Sequence, residues 1–261
     1  MQSQLLDPVP VVGVFLLFAI ITLAFYEVGF RVGRWWQARM PGEQEGPTDM
    51  LVGSLLALMA FLLAITMGMA SDRYDTRRAT VLEEANAIHA VYLQAGYLPP
   101  AQGDQVRELM RLYLPLRIAS ADRAQVQRDI VASVALHDDM WAITEDVVQI
   151  GYNPDVMSSF GESMSDLITL HERRVVGGLY SRVPQTILIL LLAGSALSLG
   201  MVGYSAGLNG RRSVLSAVVM VVALGAVLVM VIDLDRPQDG FLTVSQQPLI
   251  DVGRVIGAQL P

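Results

Sequence analysis

The three histidines, His89, His137 and His171, and the acid pairs Glu83-Glu84 and Asp138-Asp139 are the side chains best suited by type to chemistry. Imidazoles and carboxylates bind zinc, and a pair of carboxylates can divide the roles of acid and base. The spacing supports neither use. The histidines fall on three different helical stretches, with no two at metal-ligand spacing. Solvated helix faces explain the acid pairs more cheaply. The chain also has no Gly-rich phosphate loop and no nucleophile elbow. With no cysteine, thiolate nucleophiles, thiolate zinc sites and disulfides are excluded. The sequence therefore predicts no catalytic residue, no metal site and no cofactor, and the chain reads as a non-enzyme.

Two charged clusters stand out instead. One is Asp72-Arg73-Tyr74-Asp75-Thr76-Arg77-Arg78, and the other runs from Asp233 to Gly240 and contains Asp235 and Arg236. Each follows directly on a long apolar run. Such a cluster can anchor a span at the membrane interface, or form ion pairs between subunits.

The elements that carry these clusters are four charge-free apolar stretches: Pro8 to Tyr26, Met50 to Ser71, Val183 to Gly210 and Ser213 to Ile232. At about 1.5 Å per residue, roughly 20 residues cross a ~30 Å hydrocarbon core. A soluble helix turns a polar face to water, and these stretches have none. The expected fold class is an all-α integral membrane protein. Four transmembrane helices form two hairpins, and a helical extramembrane bundle is inserted between spans two and three. The divisions are residues 1–71 for the first hairpin, 72–182 for the helical domain, 183–232 for the second hairpin and 233–261 for a C-terminal tail. The N-terminus has no positive region and no small-residue cleavage site, so the first stretch reads as a retained span.

Composition agrees: 53% of the 261 residues are apolar and 16% charged. Residues 72–182 hold 16 acids against 11 arginines, which is −5 of the chain's net −7. An acidic domain repels phosphate backbones, so nucleic acid is not an expected partner. The expected surroundings are a lipid bilayer.

Span two meets no Gly or Pro stop, so one helix should run on to about Tyr97, with Val81, Ala85, Ile88 and Tyr92 on its apolar face. Pro99-Pro100 ends it. Further helices carry Val106, Leu109, Tyr113 and Leu116, then Ile130, Val134, Trp141 and Val148, then Val156, Phe160, Met164, Leu167 and His171. Asp155 is the N-cap candidate of the last, and Gly177-Gly178 its expected break. Gly200, Gly203 and Gly207 let backbones approach closely on span three. Met40–Asp49 reads as a loop. Arginines near the span ends conflict over orientation. Arg31, Arg34, Arg39, Arg211 and Arg212 lie on the hairpin side, and Arg73, Arg77, Arg78, Arg173, Arg174, Arg182 and Arg236 on the domain side. Long domains count for little, so charge alone slightly favours an outside domain.

The stretch FLLAITMGMASDRYDTRRATVLEEANAI resembles the pore helix of the bestrophin superfamily, and above all its bacterial bestrophin-like branch. His171-Glu172-Arg173-Arg174 through Tyr180 and Pro184 is similar to that family's approach to its third span. Asp235-Arg236-Pro237-Gln238-Asp239-Gly240 resembles the segment after its fourth. The resemblance implies a homopentamer in a bacterial inner membrane, second spans around a central axis, cytoplasmic termini and helical domain, and conduction of small anions such as chloride. By position it implies a pore constriction at Ala57, Phe61 and Ile65. Arg73, Asp75, Arg77, Arg78, Asp235 and Arg236 then fall at the pore exit or in inter-subunit ion pairs. Three departures qualify it. Arg73-Tyr74 stands where the family has paired tryptophans, and Gln238 where it has Phe. Asp239 stands where calcium-gated members have a run of acids, so calcium gating is not expected. The acidic domain keeps a cation channel open as an alternative, and a non-conducting sensor or scaffold is another.

Overall fold

The computed structural model describes residues 9–40, 46–118, 120, 122–179, 182–236 and 240–260. Eight α-helices occur in them: α1 (Val11–Arg39), α2 (Gly46–Gln94), α3 (Pro100–Leu116), α4 (Arg123–Gln149), α5 (Pro154–Leu179), α6 (Gln185–Leu208), α7 (Val214–Asp235) and α8 (Gln247–Ile256). Among the described residues there is no strand. Four helices are long and apolar enough to cross a membrane, and they fall on the four apolar stretches. The protein is a multi-pass membrane protein.

The described residues divide into two compact units. An apolar unit takes residues up to Arg73, 182–236 and 240–242, and a polar unit takes 74–179 and 243–260. In the apolar unit, α1 and α6 pack with backbones almost touching. A Cβ on Gly203 would fall on the Tyr26 carbonyl oxygen, one on Gly207 on that of Phe30, and one on Gly29 on that of Gly200. Lipid supplies no hydrophobic drive between helices, so this close approach is what holds them together. The small-residue stripe of span three is thus used within the chain. Gly225 on α7 admits the rings of Phe15 and Phe18, whose nearest atoms lie 2.9 and 3.0 Å from where a Cβ would sit. The tight α6–α7 turn needs Gly210, at φ +64°.

α2 is uninterrupted through Ser71 and Asp72, as the lack of a stop signal predicts, and a 3₁₀ turn at Ala95–Tyr97 ends it. It also starts earlier than expected. Residues 46–49 are helical rather than loop, and 41–45 of that connector lie outside the described residues. In the polar unit, Val81, Ala85, Ile88, Tyr113, Met164 and Leu167 are core residues, as their spacing implied.

Three local expectations are corrected. Val134, Trp141 and Val148 of α4 are exposed, and the buried face is Ser133, His137, Met140, Thr144 and Val147. The apolar residues chosen from spacing mark the outer side of that helix. Asn153, not Asp155, caps α5, its Oδ1 accepting from the Asp155 amide at 3.0 Å. Gly177 and Gly178 sit inside α5, which runs on to Leu179, and the chain leaves the helix before Pro184. The tail also holds α8, which the sequence reading left unassigned. Leu249 and Ile256 bury into the core of the polar unit, and Gly257 ends the helix at φ +73°.

Candidate functional site

The first candidate is the face of α2 that this chain leaves uncovered. On one side of the helix, Met59, Leu63, Thr66 and Ala70 are buried, with Met59 against Gly194 of α6. On the other, Ala57, Phe61 and Ile65 follow one another at i, i+4, i+8, and all three are exposed. Phe61 keeps 61% of its surface free and Ile65 47%. A Cβ added at Gly53 or Gly68 would meet nothing within 4 Å among the described residues. In lipid such a face carries no penalty, because its backbone is satisfied within the helix and its side chains are apolar. It is therefore free to meet lipid, a second copy or a pore.

The second candidate is the charged cluster that follows α7. Asp233, Asp235 and Arg236 are all buried, at 3%, 3% and 8% exposure. Charge so close to apolar spans is expensive unless every group is answered. Asp235 Oδ1 accepts from the Val183 amide at 2.7 Å, and Arg73 approaches it at 3.6 Å, as an ion pair rather than a hydrogen bond. Asp233 accepts from the amides of Phe241 at 2.9 Å and Leu242 at 3.0 Å. Arg236 donates to the Val9 carbonyl at 2.7 Å. One helix end thus ties together the start of α1, residue 73 of α2, the approach to α6 and the chain after α7. These contacts of Arg73, Asp235 and Arg236 lie within one chain. Asp75 and Arg78 are exposed, and Arg77 is half-buried. Of the segments that carried the resemblance, Tyr180 and residues 237–239 lie outside the described residues, as does Pro8 at the start of span one.

A third cluster was not legible from spacing. Glu84 has no exposed surface, and Arg117 donates to its Oε1 at 2.7 Å. Arg174 pairs with Oε2 and also donates to Gln246 at 2.7 Å. The Tyr113 hydroxyl lies 3.4 Å from Glu84 Oε1 and 3.4 Å from His171 Nδ1. The rings of His137 and His171 meet edge to face with centroids 4.9 Å apart. Two histidines assigned to separate helices thus come together, while His89 is half-buried on α2 outside the group. Burial alone would raise the Glu84 pKa, but Arg174 and Arg117 outweigh it and hold the carboxyl below its usual range. Burial, aided by Arg117, lowers His137 to about 4 and His171 to about 3. Burial also raises the Tyr113 phenol, so it stays protonated. Among the described residues no three metal-ligating side chains converge. Glu83 and Glu84, alike in sequence, differ entirely here, since Glu83 is exposed beside Arg173 at 3.3 Å.

A family model of the bestrophin-like domain matches residues 17–249, from within α1 to the start of α8. The chain belongs to the bestrophin-like family. The bestrophin-like match takes in α2 and the clusters around Asp235 and Glu84. The fold agrees with solved structures. One, of a bacterial bestrophin homolog from Klebsiella pneumoniae carrying a point mutation, superposes with TM-score 0.68 over 94% of this chain and 97% of that one, at 12% identity. Another structure of a bacterial bestrophin homolog from Klebsiella pneumoniae gives 0.63 over 95% and 99%, at 11% identity. A crystal structure described only as a membrane protein gives 0.66 over 94% and 97%, at 12% identity. Identities this low speak for the bestrophin fold alone. No curated protein matches the chain.

Proposed function

We propose that this bestrophin-like protein is a homo-oligomeric ion channel of the bacterial inner membrane, a pentamer with α2 lining the axis and both termini and the polar unit in the cytoplasm. The observation that carries this is the uncovered α2 face, where Ala57, Phe61 and Ile65 stand in line, exposed, on a helix whose opposite side is packed. In a ring of subunits that line becomes stacked apolar rings, which gate by dewetting and select by what they exclude. Exposed Val134, Trp141 and Val148 on α4 give a neighbouring copy apolar surface to cover. Arg73, Arg77 and Arg78 follow Ile65 on the same helix by about two to four turns and offer positive charge at the exit. Exposed Asp75 and Arg78 are placed to pair between subunits.

The permeant ion in this reading is an anion, chloride first, as the family resemblance implies. In planar bilayers, Phe61→Ala or Ile65→Ala should raise conductance or loosen selectivity. Wild-type behaviour from both removes α2 from the pore. One observation favours a cation instead: the segment 72–182 carries −5 per chain, which repels chloride unless arginines face the axis. Reversal potentials in asymmetric KCl separate the two by sign. A non-conducting sensor or scaffold needs no ring, so a monomer or dimer on sizing in detergent would favour that role over a channel.

A further inference from the structure

Every long helix of the polar unit contributes a polar side chain to one buried point: Glu84 from α2, Tyr113 from α3 with Arg117 at its C-cap, His137 from α4, and His171 and Arg174 from α5. The hydrogen-bond arithmetic there is restrictive. A phenol has one proton, and at 3.4 Å the Tyr113 hydroxyl gives it to the ionised Glu84 carboxylate. His171 Nδ1, 3.4 Å from the same oxygen, must then be the donor to it, which fixes the Nδ1–H tautomer. His137 has no comparable anchor. Its Nε2 is buried without a hydrogen-bond partner among the described residues, and its ring touches both Tyr113, at 5.0 Å between centroids, and His171, at 4.9 Å.

The charged groups facing this pair are Glu84 from α2, Arg117 at the C-cap of α3, Asp138 on α4 itself and Arg174 from α5. Glu84 is already shared by the two arginines, so the buried cluster carries one net positive charge before either imidazole gains a proton. A first imidazolium adds to that charge, and a second places two cations side by side.

We propose that His137 and His171 form a two-proton acid latch, which keeps α4 and α5 closed on α3 while both rings are neutral and releases them when both are protonated. The latch belongs to the packing of the polar unit and does not depend on conduction. The closed form holds both pKa values far below the ordinary histidine value, and opening restores them. Acid is therefore taken up by the open form first, from about pH 6.5 downward. The opening equilibrium should rise up to about 10-fold per pH unit for each histidine, hence about 100-fold for the pair, and be flat above about pH 7.5.

The test is hydrogen exchange of the full chain in detergent micelles, read as protection factors between pH 7.5 and 5.0. Peptides of α4 and α5 should lose protection about 10³-fold over that range, while α6 and α7 keep theirs. His137→Phe leaves one titrating ring, so its loss should fall to about 30-fold, and His171→Gln should act alike. Wild-type protection that does not change with pH, or changes equally in α6 and α7, overturns the latch. So does a wild-type loss that both variants reproduce in full. The wild-type profile decides the matter even if a variant fails to fold.

Discussion

Neighbouring glutamates show how little the identity of a residue fixes its role. Glu83 and Glu84 differ by 100° around α2, and that turn moves the second from solvent to full burial between two arginines. Removing the Glu84 carboxylate leaves two buried guanidiniums unanswered, so Glu84→Ala should cost about 3–5 kcal/mol. Glu83→Ala should cost about 0–1 kcal/mol. Thermal melts of the two variants in one detergent give the comparison. The pH dependence follows from the same cluster. The folded pKa of Glu84 is lowered, so its contribution is fully present above about pH 4.5 and is lost as pH falls through the folded value. The histidine pKa values are lowered too, so an added loss begins below about pH 6.5. Melting temperature should therefore be level near pH 7–8 and fall on acidification, the His137→Phe variant falling less. The sequence hid this because His137 lies on the α4 face with fewer apolar residues. Val134, Trp141 and Val148 look like a core stripe, yet the polar groups that need one another occupy the inside.

At the scale of elements, the sequence was a good guide where length and hydropathy decide, and a poor one where partners decide. Four charge-free runs and an unbroken α2 were legible because no alternative satisfies their backbones in lipid. The glycines at 200, 203 and 207 were legible as a close-approach face, but only the structure assigns that face to α1. Gly203→Leu should therefore disrupt the pairing of α1 and α6, with loss of monodisperse protein on extraction, because the Tyr26 carbonyl occupies the space. Gly53→Ala meets nothing among the described residues and should leave stability unchanged or raise it by about 0.5–1 kcal/mol through helix propensity, read as an equal or slightly higher melting temperature. The short α8 was missed because 10 residues give a weak periodic signal, although Leu249, Val252 and Ile256 share a helical face.

For the whole molecule, the bestrophin-like fold follows from the order of the spans and from the charged clusters that follow the apolar stretches of α2 and α7. The junction around Asp235 is built within one chain, so it can form before any assembly. The α2 face cannot be completed in that way. Its Ala57, Phe61 and Ile65 need lipid or other copies of the chain, and the proposed channel assigns them the axis of a ring. Sizing of the extracted protein should give an oligomer, five copies on this reading. The most direct measurement uses the absence of cysteine from the chain. Phe61→Cys introduces a single thiol at the proposed constriction, and current through it in a planar bilayer is followed as a membrane-impermeant charged thiol reagent is added. The expected result is a stepwise loss of current from Phe61→Cys and none from the cysteine-free chain or from Val219→Cys on exposed α7. Current from Phe61→Cys that persists, with the thiol unmodified or modified without effect, would contradict a pore lined by α2.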